Sequence, residues 1–331
     1  MSIAIIVIVV LSLLFDFLNG IHDSSNVVAT MISSRAFSPR VALGVAALAE
    51  FSGPLIFGVA VATAIGNDIV QPGTINLTVI LAALVGAILW NLFTWYLGFP
   101  SSSSHALIGG LVGAVTVGAG WKSIQMGGLE KILIILFTSP VIGFVVGFLL
   151  LRLILLLSWS ATPRINGWFK RGQMLTGVAM ALSHGANDAQ KTMGIITLAL
   201  VTGGYLPSFQ VPRWVIFSCA GMIGLGTVSG GWRLIRTLGG KFYKIRPVDG
   251  FASQLASASV ILGASLAGGP VSTTQVVSSA IMGVGAAERA NKVRWSVAQE
   301  IITAWFLTIP ATALAAAGIY FLLVHFFPNM G

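Results

Sequence analysis

The stretch NGIHDSSN, residues 19–26, places a histidine and an aspartate inside one of the most apolar parts of the chain. MSIAIIVIVVLSLLF opens the chain before it and VVATMIS follows it, so both flanks predict a helix embedded in lipid. A second stretch, SHGANDAQK at residues 183–191, repeats the order of glycine, one residue, a polar residue and aspartate. Because an ionisable side chain inside a membrane is costly and usually functional, this repeated carboxylate needs an explanation.

The composition indicates an integral membrane protein. The 331 residues are 56% hydrophobic and 8% charged, whereas soluble domains carry roughly 25% charged residues. Apolar runs without strand-like alternation occur at residues 3–35, 41–64, 76–98, 102–119, 131–158, 173–201, 212–237, 252–268, 271–287 and 293–327. We therefore expect an all-α, polytopic bundle of about 10–12 helical segments in the cell (inner) membrane.

The basic residues define the expected orientation rather than a nucleic-acid site. The net charge is +9, but the lysines and arginines cluster in a few loops between apolar runs. If the runs alternate across the membrane, most of these loops fall on one side, which the positive-inside rule makes cytoplasmic. We expect both termini on the other side, a surrounding lipid bilayer as a partner, and no nucleic-acid partner.

The two halves of the chain resemble each other. PSSSSH at residues 100–105 aligns with PVSTTQ at 270–275, and the two aspartate motifs align with a nearby offset. Five segments in each half is an odd number, so the second half starts on the opposite face of the membrane. The sequence predicts a first repeat at 1–158, a cytoplasmic connector at 159–172 and a second, inverted repeat at 173–331. Each segment pair around these Pro motifs is either a re-entrant hairpin or two full spans.

Four predicted helix breaks fall at matched positions in the two halves. Gly20 and Gly185 interrupt long apolar segments, and Pro100 and Pro270 each precede a cluster of hydroxyl side chains. Broken helices in inverted repeats are typical of secondary transporters with a central binding site.

The hydroxyl clusters predict an oxyanion site. A helix restarting after proline presents free N–H groups with partial positive charge, and neighbouring hydroxyls can donate further hydrogen bonds. The alternative is that these side chains only cap or join helices. The predicted anion ligands are Ser102, Ser103, Ser104, Ser272, Thr273 and Thr274.

The aspartate motifs predict cation sites. Asp23 and Asp188, with Asn26 and Asn187, supply hard oxygen ligands that suit Na⁺, although a proton on the carboxylate is an alternative. A structural pair is a further alternative, either Asp188 neutralised by Lys191 or Asp23 hydrogen-bonded to His22. A desolvated anion cannot sit beside two bare carboxylates, so cations on them would make the cavity attractive to it. Two cations would also offset the cost of about 2.3 kcal/mol for importing a negative charge against 100 mV.

Three further polar residues are open to more than one interpretation. Glu50 is either a gate or proton carrier, or a hydrogen-bonding group facing the bundle. Asp16 is similarly undecided. His105 aligns with Gln275, which predicts a hydrogen-bond donor rather than a titrating group.

Four motifs, in order, resemble those of the inorganic phosphate transporter (PiT) family of phosphate:cation symporters. They are GIHDSSNVVAT at 20–30, FPSSSSHALIGG at 99–110, GANDAQKTMG at 185–194 and GGPVSTTQ at 268–275. The resemblance implies an inverted-repeat bundle that imports phosphate and is not an enzyme. It assigns the two Asp–Asn sets to cation or substrate coordination and the hydroxyl clusters to a phosphate pocket, to which we add Gln190 as a predicted ligand.

The sequence departs from symmetry at two places, which leaves the coupling ion open. His22 stands where the second copy has Asn187, and Lys191 stands where the first copy has Asn26. Members of the resembled family use Na⁺ or H⁺, and some bacterial members carry metal–phosphate complexes. We favour Na⁺ because of the oxygen-rich surroundings of each aspartate.

Rival interpretations come from different functional classes. One is a transporter of another oxyanion such as sulfate, and another is a passive anion channel. A third is an intramembrane metalloenzyme that uses His22, Asp23, His105 and His184. Assembly as a homodimer is left open.

Overall fold

The computed structural model describes residues 2–71, 73–98, 101–230 and 245–327, and this part of the chain is a bundle of eleven α-helices. In chain order these are α1 (Ile3–Ser33), α2 (Pro39–Phe57), α3 (Ala60–Thr63, continued by a π-helical turn at Ala64–Asp68), α4 (Leu77–Leu97), α5 (Ser103–Gly118), α6 (Met126–Leu157), α7 (Ile165–Thr202), α8 (Arg213–Ser229), α9 (Pro247–Leu266), α10 (Thr273–Glu288) and α11 (Trp295–Phe326). The predicted all-α bundle is confirmed.

Several helices have the length and composition of membrane spans. Within the described ranges, α1, α2, α4, α6 and residues 302–326 of α11 are long and apolar enough to cross a bilayer. Large apolar side chains such as Ile134, Val141 and Leu149 of α6 are exposed on the outside of the bundle. A lipid environment removes the cost of exposing them, so the chain is an integral membrane protein.

The order and size of the elements recur in the second half. Both α5 and α10 contain 16 residues and begin directly after a serine N-cap, at Ser102 and Ser272. A short 3₁₀ turn follows each of them, and the long helices α6 and α11 each contain 32 residues.

Glycine contacts between the halves are reciprocal. A Cβ added to Gly113 of α5 would lie against Ala313 of α11, and one added to Gly283 of α10 would lie against Phe144 of α6. The two contacts thus match at the level of helices, since α5 packs on α11 and α10 packs on α6.

The segments around the two hydroxyl clusters form hairpins whose tips meet. Arg246, at the start of α9, donates a 2.7 Å hydrogen bond to Glu288, so α10 ends at the face from which α9 began. At the tips, Ser104 donates a 2.8 Å hydrogen bond to the carbonyl oxygen of Val271, and both residues are buried. The start of α5 therefore lies against the segment that joins α9 to α10.

Two of the four predicted helix breaks are wrong. Both α1 and α7 run without interruption through Gly20 and Gly185. A Cβ on Gly20 would lie 2.3 Å from the carbonyl oxygen of Ile223, and one on Gly185 would lie 2.1 Å from that of Glu50. These glycines are required because another helix backbone packs directly on them, and the carbonyl groups beside the aspartates stay in helical hydrogen bonds.

The predicted helix starts after the hydroxyl-rich turns are confirmed. New helices begin at Ser103 and Thr273, each after extended backbone at the preceding serine. Pro270 lies in the turn before α10, whereas Pro100 lies outside the described residues.

We predict that Gly185→Ala weakens the packing of α7 on α2, because the added methyl group would overlap the backbone of Glu50. Overpacking of this kind costs about 1–3 kcal/mol. Thermal unfolding of the purified protein in detergent measures the effect. Gly221→Ala is the matched control, because no described atom lies within 4 Å of its added Cβ and alanine favours a helix. Equal melting temperatures for the two variants would contradict the packing role.

Candidate functional site

A buried histidine lies between the two repeated aspartates. Helices α1 and α7 pack so that Nε2 of His184 is 3.6 Å from Oδ2 of Asp23 and 3.4 Å from Oδ2 of Asp188. His184 and Asp188 are four residues apart and share one face of α7. One ligand atom from each of the three side chains lies within 4.8 Å of the others, a grouping that could hold a metal ion.

Asp23 accepts hydrogen bonds from neutral groups of both halves. Its Oδ1 accepts from Nδ2 of Asn26 at 2.6 Å and from Oγ1 of Thr274 at 2.8 Å. Asn26 also donates to Thr274 at 3.0 Å, which closes a three-membered network. The first aspartate motif and the second hydroxyl cluster therefore meet, although 251 residues separate Asp23 from Thr274.

Asp188 has a cationic partner instead. Nζ of Lys191 donates to its Oδ1 at 2.6 Å, and Oγ1 of Thr273 donates to its Oδ2 at 3.2 Å. Both Lys191 and Asp188 are fully buried. The ion pair that the sequence left as an alternative is therefore present.

Glu50 extends this network to α2 and α8. Its Oε1 lies 2.9 Å from Nδ1 of His184, and Thr227 donates a hydrogen bond to its Oε2. The bundle-facing interpretation of Glu50 is confirmed by these contacts. The sequence drew attention to both residues, His184 as a ligand in the rival metalloenzyme interpretation and Glu50 as a group of undecided role, but it did not place either one beside the two aspartates. The spacing of four residues between His184 and Asp188 was the available signal for the histidine.

The serines that begin α5 and α10 act as helix caps. Ser102 accepts from the backbone nitrogen of His105 at 3.3 Å, and Ser272 accepts from that of Gln275 at 3.4 Å. Ser103 is half-buried, and neither it nor Ser104 hydrogen-bonds to a carboxylate among the described residues. The two carboxylates thus take their hydroxyl donors from the second cluster alone.

The side chains of Asn187 and Gln190 form hydrogen bonds with backbone groups rather than with the carboxylates. Asn187 accepts from the nitrogen of Val271 at 3.1 Å and donates to Ser265 and to the carbonyl oxygen of Gly269. Gln190 accepts from the nitrogen of Val61 at 2.8 Å, at the start of α3. A turn that interrupts a buried helix leaves backbone groups unpaired, and these amides satisfy them.

His22 and His105 form no hydrogen bond or ion pair with this network among the described residues. His22 stacks on Trp95 with ring centroids 5.8 Å apart. Neither ring nitrogen of His105 has a hydrogen-bond partner in the described chain, and the ring packs edge-on against Phe137. The predicted hydrogen bonds of His105 thus have no protein acceptor among the described residues. Of the four residues in the metalloenzyme interpretation, only Asp23 and His184 come together.

Asp16 forms a separate contact between the same two helices. Its Oδ1 accepts a 2.6 Å hydrogen bond from Oγ1 of Thr192, and both residues are buried. The contact adds to the packing of α1 on α7, about two helical turns before Asp23.

Apolar spanning helices around a buried network of charged and hydroxyl groups define a membrane transport protein. The chain belongs to the phosphate transporter family, whose sequence model matches residues 19–316. The family consists of transporters rather than enzymes, so the metalloenzyme interpretation is excluded.

Similar proteins cover nearly the whole chain. A "Probable low-affinity inorganic phosphate transporter" of Bacillus subtilis (strain 168) is 46% identical over 96% of this chain and 96% of its own length. A protein of the same description from Rhizobium meliloti (strain 1021) is also 46% identical, over 95% of each chain. The solved structure named "The sodium-dependent phosphate transporter" superposes with a TM-score of 0.90 over 97% of this chain and 99% of that chain. At 24% identity it supports the fold alone.

We predict that Asn187→Leu destabilises the protein, because the Val271 nitrogen and the Gly269 carbonyl would lose their buried partner. An unsatisfied buried polar group costs about 1–3 kcal/mol. The melting temperature in detergent measures this loss. Asn91→Leu is the matched control, since Nδ2 of the buried Asn91 has no hydrogen-bond partner among the described residues. An equal loss in both variants would show that the Asn187 contacts do not stabilise the turn.

Proposed function

We propose that the protein is a secondary active symporter that imports inorganic phosphate using a cation gradient, with Na⁺ favoured. One observation carries the proposal: Asp23, a cation ligand by chemistry, is hydrogen-bonded to Thr274, a hydroxyl at a buried helix start. Groups suited to a cation and to an anion therefore belong to one network. Membership of the phosphate transporter family and the names of the relatives support phosphate as the substrate.

In this proposal, phosphate binds at the two meeting hairpin tips. The first turns of α5 and α10 present N–H groups and the hydroxyls of Ser103, Ser104, Thr273 and Thr274. Ser102 and Ser272 complete the clusters while capping the same helices. A protonated phosphate can also donate a P–OH hydrogen bond to a carboxylate, which fully ionised sulfate cannot do.

In this proposal the cation binds at the aspartates, and its positive charge attracts the phosphate to the neighbouring site. Asp23 and Asn26 offer oxygen atoms beside the hydroxyl cluster, whereas Asn187 supports the turn before α10. Without a cation, the negative charge of Asp23 would repel phosphate across a poorly screened interior. Binding of each ion therefore favours binding of the other, which is the thermodynamic basis of symport.

Alternating access would use the two halves as inverted repeats, residues 1–158 and 173–331, with both termini outside the cytoplasm. The reciprocal contacts of Gly113 and Gly283 support a two-fold relation between these halves. Rocking of one half against the other would expose the meeting tips to each side of the membrane in turn.

Transport of a metal–phosphate complex is a second candidate, and the grouping of Asp23, His184 and Asp188 favours it. A divalent metal bound by these three side chains would replace Na⁺ as the neutralising charge. Proton coupling is a third variant, because His184 and the carboxylates can each carry a proton.

We predict that phosphate uptake into proteoliposomes requires an inward cation gradient and that Asp23→Asn abolishes it. The substitution removes the negative charge that attracts the cation but keeps the shape of the side chain. Na⁺, H⁺ and Mg²⁺ gradients imposed one at a time distinguish the three coupling variants. Asp68→Asn is the control, because Asp68 lies in the turn at Ala64–Asp68, away from the aspartate–histidine network. Full uptake by Asp23→Asn would refute the proposed mechanism.

We also predict that sulfate competes poorly with phosphate for uptake. Of these two anions, only phosphate can both accept hydrogen bonds from the tips and donate one to a carboxylate. The measurement is uptake of labelled phosphate in the presence of a tenfold excess of sulfate or arsenate. Arsenate, which is protonated like phosphate, should inhibit strongly. Equal inhibition by sulfate would favour a general oxyanion transporter.

A further inference from the structure

The two aspartate motifs have different partners at equivalent positions. The offset of 165 residues that aligns Asp23 with Asp188 also aligns Asn26 with Lys191. Each partner lies three residues after its aspartate, and each donates a 2.6 Å hydrogen bond to Oδ1. The geometry is therefore the same in both halves, whereas the charge is neutral in one half and positive in the other.

The other acidic group of this network is also paired. Glu50 faces His184 and Thr227, so the imidazole can supply its counter-charge. Asp188 has the ammonium group of Lys191, and His184 reaches it from the other side. Asp23 has the amide of Asn26 and the hydroxyl of Thr274, and it shares His184, at 3.6 Å, with Glu50 and Asp188. Within the described residues, Asp188 is thus the only one of the three carboxylates that has a lysine partner.

We infer that Lys191 is a tethered counter-ion that fills the place of a second coupling cation. The inference rests on the proposed function and narrows it: the protein carries one mobile cation per phosphate, and that cation binds at Asp23. The ammonium group sits where a cation would bind Asp188, at hydrogen-bonding distance and fully buried. Because it is covalently attached, it neutralises Asp188 throughout the cycle and moves no ion across the membrane.

The inference has a consequence for the charge that moves in each cycle. With one mobile monovalent cation, import of a monovalent phosphate is electroneutral. A symporter with mobile cations at both aspartates would move one more positive charge inward for each phosphate. The membrane potential would then drive the second arrangement but not the first.

Lys191→Asn tests this directly, because it gives Asp188 the partner that Asp23 has. The readout is how the phosphate accumulation ratio at zero net flux depends on an imposed membrane potential, measured in proteoliposomes at a fixed Na⁺ or H⁺ gradient. We expect the variant to carry one more positive charge per phosphate than the wild type. Its uptake should also rise sigmoidally with the coupling cation, where that of the wild type rises hyperbolically.

Lys191→Arg is the matched control, since it keeps the tethered charge and should keep the wild-type charge per phosphate. If Lys191→Asn does not fold, the reciprocal variant Asn26→Lys supplies the second test. Its new ammonium group should replace the mobile cation, so phosphate should equilibrate without any cation dependence. A cation requirement that persists in folded Asn26→Lys overturns the inference.

The number of cations transported per phosphate by the wild-type protein distinguishes failure of this inference from failure of the proposed function on which it rests. Cation-driven uptake with one cation per phosphate supports both, whereas two cations per phosphate overturn only the tethered counter-ion. Unchanged charge per phosphate in an active Lys191→Asn variant also overturns it. Uptake that responds to no cation gradient at all refutes the symport mechanism itself.

Discussion

The contact of His184 with both repeated aspartates is the interaction on which the rest of the structure depends. Several ionisable groups are buried within a few ångströms of one another, and each needs a partner because the interior solvates charge poorly. The partners come from five helices: α1 and α7 carry the aspartates, α2 and α8 contribute Glu50 and Thr227, and α10 contributes Thr273 and Thr274. The buried charges are therefore balanced only when these five helices pack together.

Close approach of the helix backbones makes this network possible. Each aspartate-bearing helix has a glycine at the point where a helix of the other half packs against it. Gly20 packs against the backbone of Ile223, and Gly185 packs against the backbone of Glu50. Larger residues at these two positions would displace α8 and α2. The same displacement would pull Glu50 and Thr227 from His184. Uninterrupted helices with small contact residues thus position the polar groups, and the chain leaves helical geometry at the hairpin tips and between α2 and α3.

The two halves have similar helices, but the residues beside their aspartates differ in charge. Helix lengths, serine caps and glycine contacts recur at matched positions. Asn26 and Lys191 occupy equivalent positions, yet only one of them is charged. Both carboxylates also take their hydroxyl donors from α10, whereas Ser104 of α5 bonds to the backbone of the opposite tip. The two aspartates therefore have different surroundings.

The sequence by itself determined the class of fold, the approximate number of helical segments and the residues that bear charge in the membrane. These follow from local properties: apolar length, turn chemistry and the rarity of ionisable groups in lipid. Only the tertiary structure decided which polar groups meet, because those pairings join residues far apart in the chain, as Thr274 and Asp23 are. It also decided that Gly20 and Gly185 are packing sites, since a glycine that breaks a helix and one that admits a neighbouring backbone look the same in a sequence.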